Sequence, residues 1–246
     1  MIPSHVIDRG QSNRVAGVLL GMMLLVGGCQ SQTVTHEQAQ SVLLSRMDVR
    51  QQLNLTKAQL DATVAALNEI NGKQADGLVG AFTKYGDQVD LLDGSIAQLD
   101  HASTAAKAQA EAYFETAATK IALIDDPDLK TRATTRRQTA VDLAQTIDTD
   151  TKTLELTYRR FLQRLRDIQA YLAADLTSGC VRSIQDQFAQ TNLDVDPLKA
   201  KSDQLAFDLE LGNELMNTGE VKPATTSATV PGTETAATLP LPTTVP

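Results

Sequence analysis

The sequence predicts an all-α protein, an elongated antiparallel coiled-coil bundle of three or four helices. Apolar residues recur at steps of three and four over four long segments, which is the helical signature. Between residues 4 and 222 the only prolines are Pro127 and Pro197, so little interrupts these segments. The chain has no Trp, five Phe and four Tyr. Such a composition suits narrow seams between helices better than a broad globular core.

The first 28 residues have the form of a signal peptide. Arg9 and Arg14 precede an apolar run from Val15 to Val26. This run is too short for a transmembrane helix, which takes about 20 apolar residues. It ends in Val26-Gly27-Gly28-Cys29, which resembles the lipobox of bacterial lipoproteins. The resemblance implies that Cys29 is acylated with diacylglycerol and that the chain is cut just before it. The alternative is a Cys that merely ends an ordinary signal peptide.

The residues after Cys29 predict where the protein is sorted. In Gram-negative lipoproteins, Asp directly after the lipidated Cys favours the inner membrane, whereas Gln30 and Ser31 stand here. We therefore expect a protein lipid-anchored to the outer membrane and facing the periplasm, with the inner membrane as the less favoured address. Residues 29–36 would form the lipidated tether.

The helical coiled-coil domain is predicted over residues 37–218. Its first segment runs from His36 to Ile70, where a capping-box pattern of Thr56 and Gln59 favours a break near Asn54. The second segment is expected to be firm from about Asp87 to Ile124, after a start that glycines weaken. Its seam contains the small residues Ser103-Ala106-Ala110, which predict a close approach of a neighbouring helix.

The third segment is predicted from Leu129 to about Leu176. Asp126 is a suitable N-cap, and Pro127 suits the first helical position. The turn before this segment is short, so the second and third segments should be antiparallel neighbours. Arg136 and Asp150 fall at seam positions, where buried polar groups can fix the register of a coiled coil.

A fourth segment follows a break at Thr177-Ser178-Gly179, with Ser178 as its expected cap. Its heptads continue to the end of the domain, and Thr191 and Ser202 fill gaps in the seam. Asp196-Pro197 is expected to interrupt or kink it. Residues 219–246 are rich in Thr and Pro and cannot bury a core. We predict that they form a disordered tail.

Charge excludes one class of partner. Removal of residues 1–28 takes away two arginines and one aspartate and leaves a formal charge of −9. An acidic protein has no general electrostatic attraction to nucleic acid, so no nucleic-acid partner is expected. Two arginine clusters are interpreted as solvated faces paired with acids of an adjoining helix, and the alternative is a docking patch for a polyanion such as phospholipid headgroups. They are Arg132, Arg136 and Arg137, and Arg159, Arg160, Arg164 and Arg166.

The sequence offers no catalytic or metal-binding constellation. His36 and His101 lie in different segments, and the chain has no HExxH, CxxC, P-loop or G-x-S-x-G pattern. We therefore expect no cofactor and no enzymatic activity. If Cys29 carries lipid, Cys180 has no partner within the chain. It is interpreted as a small apolar residue near a helix start, and the alternative is an intermolecular disulfide or a reactive thiol.

Three stretches carry a further resemblance: "ALNEINGKQADGLVGAFTKYGDQVDLLDGSIAQLD", "AEAYFETAATKIALIDDPDLKTRATTRR" and "DVDPLKAKSDQLAFDLELGNELM". Through them the region from about Ser41 to Met216 resembles a bacterial domain-of-unknown-function family of lipoproteins with a long coiled-coil body. The resemblance implies a helical architecture and an envelope location, and it carries over no active site. The Gly-rich start of the second segment and the Thr/Pro tail depart from the pattern.

These observations predict a lipid-anchored, non-catalytic cell-envelope protein that serves as a scaffold, spacer or adaptor. The membrane is its expected partner through the lipid on Cys29, together with another envelope protein or a second copy of the chain. The alternative function is the binding or transport of a lipid or another amphiphile between the helices. This alternative requires a cavity lined by seam residues. An enzyme acting on cell-wall or lipid material is the least supported alternative.

Overall fold

The protein folds as an all-α antiparallel bundle, which confirms the predicted fold class. The structure, a computed structural model, describes residues 30–73 and 75–218. The predicted signal peptide, Cys29 and the predicted tail lie outside these ranges. The described residues form five helices: α1 (Gln30–Gly72), α2 (Ala75–Ala122), α3 (Pro127–Ala174), α4 (Ser178–Ser183) and α5 (Gln185–Thr218). At 1.5 Å per residue, each of the 48-residue helices α2 and α3 is about 72 Å long.

The four long helices pack as a closed square. Helix α1 packs against α2, α2 against α3, α3 against α5, and α5 back against α1. The hydrogen bond from Ser41 Oγ to Gln109 Oε1 and the bond from Lys84 Nζ to Glu69 Oε2 tie opposite ends of α1 and α2, so these helices are antiparallel. One end of the bundle therefore holds the start of α1, the α2–α3 turn and the end of α5.

Helix α1 is continuous from Gln30 to Gly72, so the break predicted near Asn54 is wrong. The Thr56 hydroxyl is fully buried and donates to the Gln52 carbonyl within its own helix, 2.8 Å away. Thr63 is buried in the same way, and its hydroxyl lies 3.0 Å from the Gln88 carbonyl of α2. The local pattern marks Thr56 as a helix cap, whereas tertiary packing places it in the interior of the bundle. Helix α1 also begins at Gln30, so residues 30–36 of the predicted tether are helical.

The caps of α3 and α4 show how the turns are fixed. Asp126 caps α3 as predicted, since its carboxylate accepts from the backbone N–H groups of Asp128 and Leu129, both at 2.9 Å. Pro127 is the first helical residue. The cap of α4 is Thr177, which accepts from the Cys180 N–H at 3.2 Å, so the expectation of Ser178 is wrong by one residue.

The prediction that Arg136 and Asp150 occupy buried seam positions is wrong. Arg136 and Asp150 are both exposed, and the neighbouring Thr151 is buried instead. The register of α3 is therefore set by other contacts. The Tyr158 hydroxyl lies 2.9 Å from Ser202 Oγ of α5, and the Tyr85 hydroxyl of α2 donates to the Leu165 carbonyl at 2.8 Å. A tyrosine hydroxyl buried between helices needs such a partner, which fixes how the helices are placed.

Helix α5 continues through Pro197 without interruption. Thr191 and Ser202 are fully buried, as predicted for residues that fill gaps in the seam. Pairs of charges at the surface join the long helices: Lys199 with Asp61, Arg166 with Asp93, and Arg164 with Asp194.

Candidate functional site: a cavity between α2 and α3

A cavity opens between α2 and α3 in the half of the bundle that holds the α2–α3 turn. Its volume is about 520 Å³, within the range of small-molecule sites. Most of its lining comes from α2 and α3, while α1 contributes Arg46 and Val49 and α5 contributes Leu209. We call this space the Arg46 cavity.

Small side chains explain why the cavity exists. The predicted stretch of small seam residues lies along it, and alanines of both helices complete its wall. The sequence predicted a close approach of a neighbouring helix here, but the short side chains of α2 and α3 line a cavity instead. The small residues of the wall are Ser103, Ala106, Ala110, Ala118 and Ala144. Phe114 and Val141 add larger apolar surface.

Arg46 is the unusual member of this lining. It is only 4 % exposed, and its Nη1 atom has no hydrogen-bond partner among the described residues. No carboxylate forms an ion pair with it in residues 30–73 and 75–218. Burial lowers the pKa of Arg46 to about 10, so the guanidinium remains positively charged at neutral pH. Charged side chains are almost never buried without a partner.

Gly212 of α5 makes room for this guanidinium. A Cβ atom at position 212 would lie 2.8 Å from Arg46 Nη1 and 3.3 Å from Ile147 Cδ1. Any larger residue there would press on the arginine head. The bundle thus accommodates a buried cation next to an apolar space.

The mouth of the cavity is charged and paired. Lys107 Nζ lies 3.0 Å from Asp148 Oδ2, and Lys152 Nζ reaches the same oxygen at 2.7 Å. The hydrogen bond to Asp148 raises the pKa of Lys107. Glu111 and Glu115 lie on the α2 side of the rim. The apolar wall therefore lies between a polar rim and the single cation Arg46 on the α1 side.

A neighbouring cavity of about 460 Å³ lies closer to the α2–α3 turn and shares Phe114 and Arg137 with the first. Arg137 Nε donates to the Phe114 carbonyl at 2.9 Å, and Arg136 Nη2 lies 3.4 Å from the Met216 carbonyl. Neither arginine forms an ion pair within the described ranges.

The two arginine clusters thus differ. The interpretation of a paired surface face holds for Arg159, Arg164 and Arg166, whose partners are Asp100, Asp194 and Asp93. In the other cluster, Arg136 and Arg137 donate to backbone carbonyls. Among the residues that the structure describes, none of Arg132, Arg136 and Arg137 forms an ion pair with an acid.

Comparison with known proteins gives no match. No family model matches the chain, and no curated protein or solved structure is significantly similar to it. The lipobox at Cys29 and the resemblance of the body to a lipoprotein family therefore stay predictions. None of the helices described between residues 30 and 218 is long and apolar enough to cross a membrane.

The other candidate residues are not brought together. His36 and His101 are exposed on α1 and α2, and His36 Nε2 lies 3.1 Å from Gln40 Nε2. Cys180 is a free, buried cysteine in the hydrophobic core, in agreement with its interpretation as a small apolar residue near a helix start. Within the described residues no group of three His, Cys, Asp or Glu side chains could hold a metal ion.

The sequence contained a signal for Arg46 that was missed. Val42 and Val49 are consecutive members of the α1 seam, separated by seven residues. A heptad seam places one further interior position between them, at the step of four, and Arg46 occupies it. Glu155, a buried acid of α3, has no comparable signal, because the apolar repeat of the third segment slips by one residue between Leu154 and Phe161.

Proposed function

We propose that the chain is a lipid-anchored, non-catalytic protein of the cell envelope, whose helical body is a scaffold, spacer or adaptor. The anchor is diacylglycerol on Cys29, and the proposed location is the outer membrane with the body in the periplasm. The observation that carries the proposal is the Val-Gly-Gly-Cys signal directly before a helix of 43 residues. Its partners would be the membrane and either an envelope protein or a second copy.

The geometry supports a spacer because α1 runs away from the anchor for its whole length. Its 43 residues span about 64 Å. The bundle end with the α2–α3 turn then lies next to the attachment point, and the α1–α2 turn lies far from it. A rigid body of this length can hold a partner at a fixed distance from the membrane.

Metabolic labelling tests the anchor. Cells that produce the full chain are grown with an alkyne-bearing palmitate, and the purified protein is tested for the label. We expect label in the wild type and in Cys180→Ala, the matched control, and none in Cys29→Ala. Label that persists in Cys29→Ala would refute the anchor. Cross-linking in intact envelopes then distinguishes an adaptor, linked to one envelope protein, from a self-assembling spacer.

A second candidate function, the binding of an amphiphile between the helices, is favoured by the Arg46 cavity. The sequence-based alternative required a cavity lined by seam residues, and Ala106 and Ala110 of the α2 seam line this one. A protein tethered at Cys29 would keep such a cavity close to the bilayer, from which an amphiphile can be supplied.

A further inference from the structure

The Arg46 cavity combines an apolar wall with an unpartnered buried cation. Arg46 is 4 % exposed, its Nη1 atom has no hydrogen-bond partner among the described residues, and its side chain lines the cavity. Two carboxylates of the rim pair with lysines instead of Arg46: Asp148 with Lys107 and Lys152, and Glu111 with Lys107. An anion bound between the guanidinium and the apolar wall would pair this buried charge.

The shape and chemistry of the space restrict what this anion can be. A guanidinium binds carboxylate and phosphate oxygens through two parallel hydrogen bonds. The wall next to it consists of alanines with Phe114 and Val141, which favours a hydrocarbon body. A volume of about 520 Å³ lies toward the lower half of the range for ligand sites and suits one hydrocarbon chain better than two.

We propose that the cavity binds a single-chain amphiphile with an oxyanion head, of the fatty-acid or monoalkyl-phosphate class. The head pairs with Arg46, and the chain lies along Ala110, Ala144 and Phe114 toward the rim. This inference rests on the second candidate function and names its ligand class and orientation. Gly212 takes part because the absence of a Cβ atom leaves room for Arg46 Nη1 next to α5.

The position of the cavity fits this ligand class. Arg46 lies sixteen positions after Gln30 on α1, a rise of about 24 Å. A chain anchored just before Gln30 therefore keeps the oxyanion site within about one bilayer thickness of the membrane surface.

The test uses the mature, lipid-anchored full chain in phosphatidylcholine nanodiscs. Dodecanoate labelled with ¹³C at the carboxyl is titrated at pH 8, and binding is read from its carboxyl resonance, with empty nanodiscs as the blank. We expect saturable binding to the wild type. Arg46→Met should weaken it by roughly tenfold or more, the loss expected when a hydrogen bond between charged groups is removed. The matched control Arg50→Met, on the exposed face one turn later, should bind like the wild type.

Two further arms distinguish the possible failures. Ala144→Phe fills the wall without touching the charge, and it should abolish binding of dodecanoate. Dodecyl phosphate and dodecan-1-ol identify the role of the head: we expect competition by the phosphate and little by the alcohol. Equal binding of the alcohol, or an unchanged affinity in Arg46→Met, would overturn the oxyanion site while leaving amphiphile binding standing. If dodecanoate, dodecyl phosphate and dodecan-1-ol all fail to bind, both the oxyanion site and amphiphile binding are refuted. Circular dichroism establishes that each variant is folded.

Discussion

Three glycines within helices lead to a graded prediction about stability. Gly80 and Gly94 lie on α2, and a Cβ atom built at either one meets nothing within 4 Å. Gly212 lies on α5, where a Cβ atom would come 2.8 Å from Arg46 Nη1. The same change, Gly→Ala, therefore removes the same backbone freedom at all three positions but meets different surroundings.

The magnitude follows from helix propensity. Ala is favoured over Gly by about 0.8–1 kcal/mol in a helix interior, so Gly94→Ala should raise the free energy of unfolding by about that amount. Gly80 is in the second turn of α2, where fraying of the helix end reduces the gain. The two sites are about 21 Å apart along the helix, far enough for their effects to add. The double variant should gain up to about 2 kcal/mol.

Gly212→Ala should gain less than either, because the new methyl group displaces the buried guanidinium. Thermal unfolding followed by circular dichroism measures the order. A change of about 1 kcal/mol moves the Tm of a domain of this size by about 2–4 °C, so the differences are resolvable. The reasoning is refuted if Gly212→Ala stabilises the protein as much as Gly94→Ala, or if Gly94→Ala lowers the Tm.

Two further predictions concern buried polar groups. Tyr85→Phe removes the hydrogen bond to the Leu165 carbonyl, so urea denaturation should show a loss of about 1 kcal/mol, and an unchanged midpoint would contradict the role of this bond. Burial raises the pKa of Glu155, so its ionised form destabilises the fold above that raised pKa and the cost disappears as the pH falls below the ordinary Glu value. Glu155→Gln should therefore be more stable than the wild type at neutral pH, and the difference should shrink toward acid pH; a difference that grows on acidification would show that the sign is wrong.

The buried arginine has a bearing on how stability and function are related. An unpaired buried charge lowers the stability of the fold. An apolar side chain at position 46 would avoid this cost. Functional sites are where proteins keep such local costs. Arg46 is therefore informative because it is unfavourable to the apo fold.

The sequence by itself determined the helical class, the order of the helices and the α2–α3 turn. These features depend on contacts along the chain: the repeat of apolar residues at steps of three and four, and an Asp-Pro pair that caps and begins α3. The same local information predicts the lipid anchor at Cys29, because a peptidase reads a short segment.

Only the tertiary structure decided which polar residues are interior and where space remains. Arg136 and Asp150 fit the seam by spacing but are exposed, whereas Thr56 and Arg46 are buried. The reason is that four helices wrap around one another, so whether a position is covered depends on two neighbours at once. The Arg46 cavity arises in the same way: alanines of two helices, an arginine of a third and a glycine of a fourth meet there, and no single segment contains that arrangement.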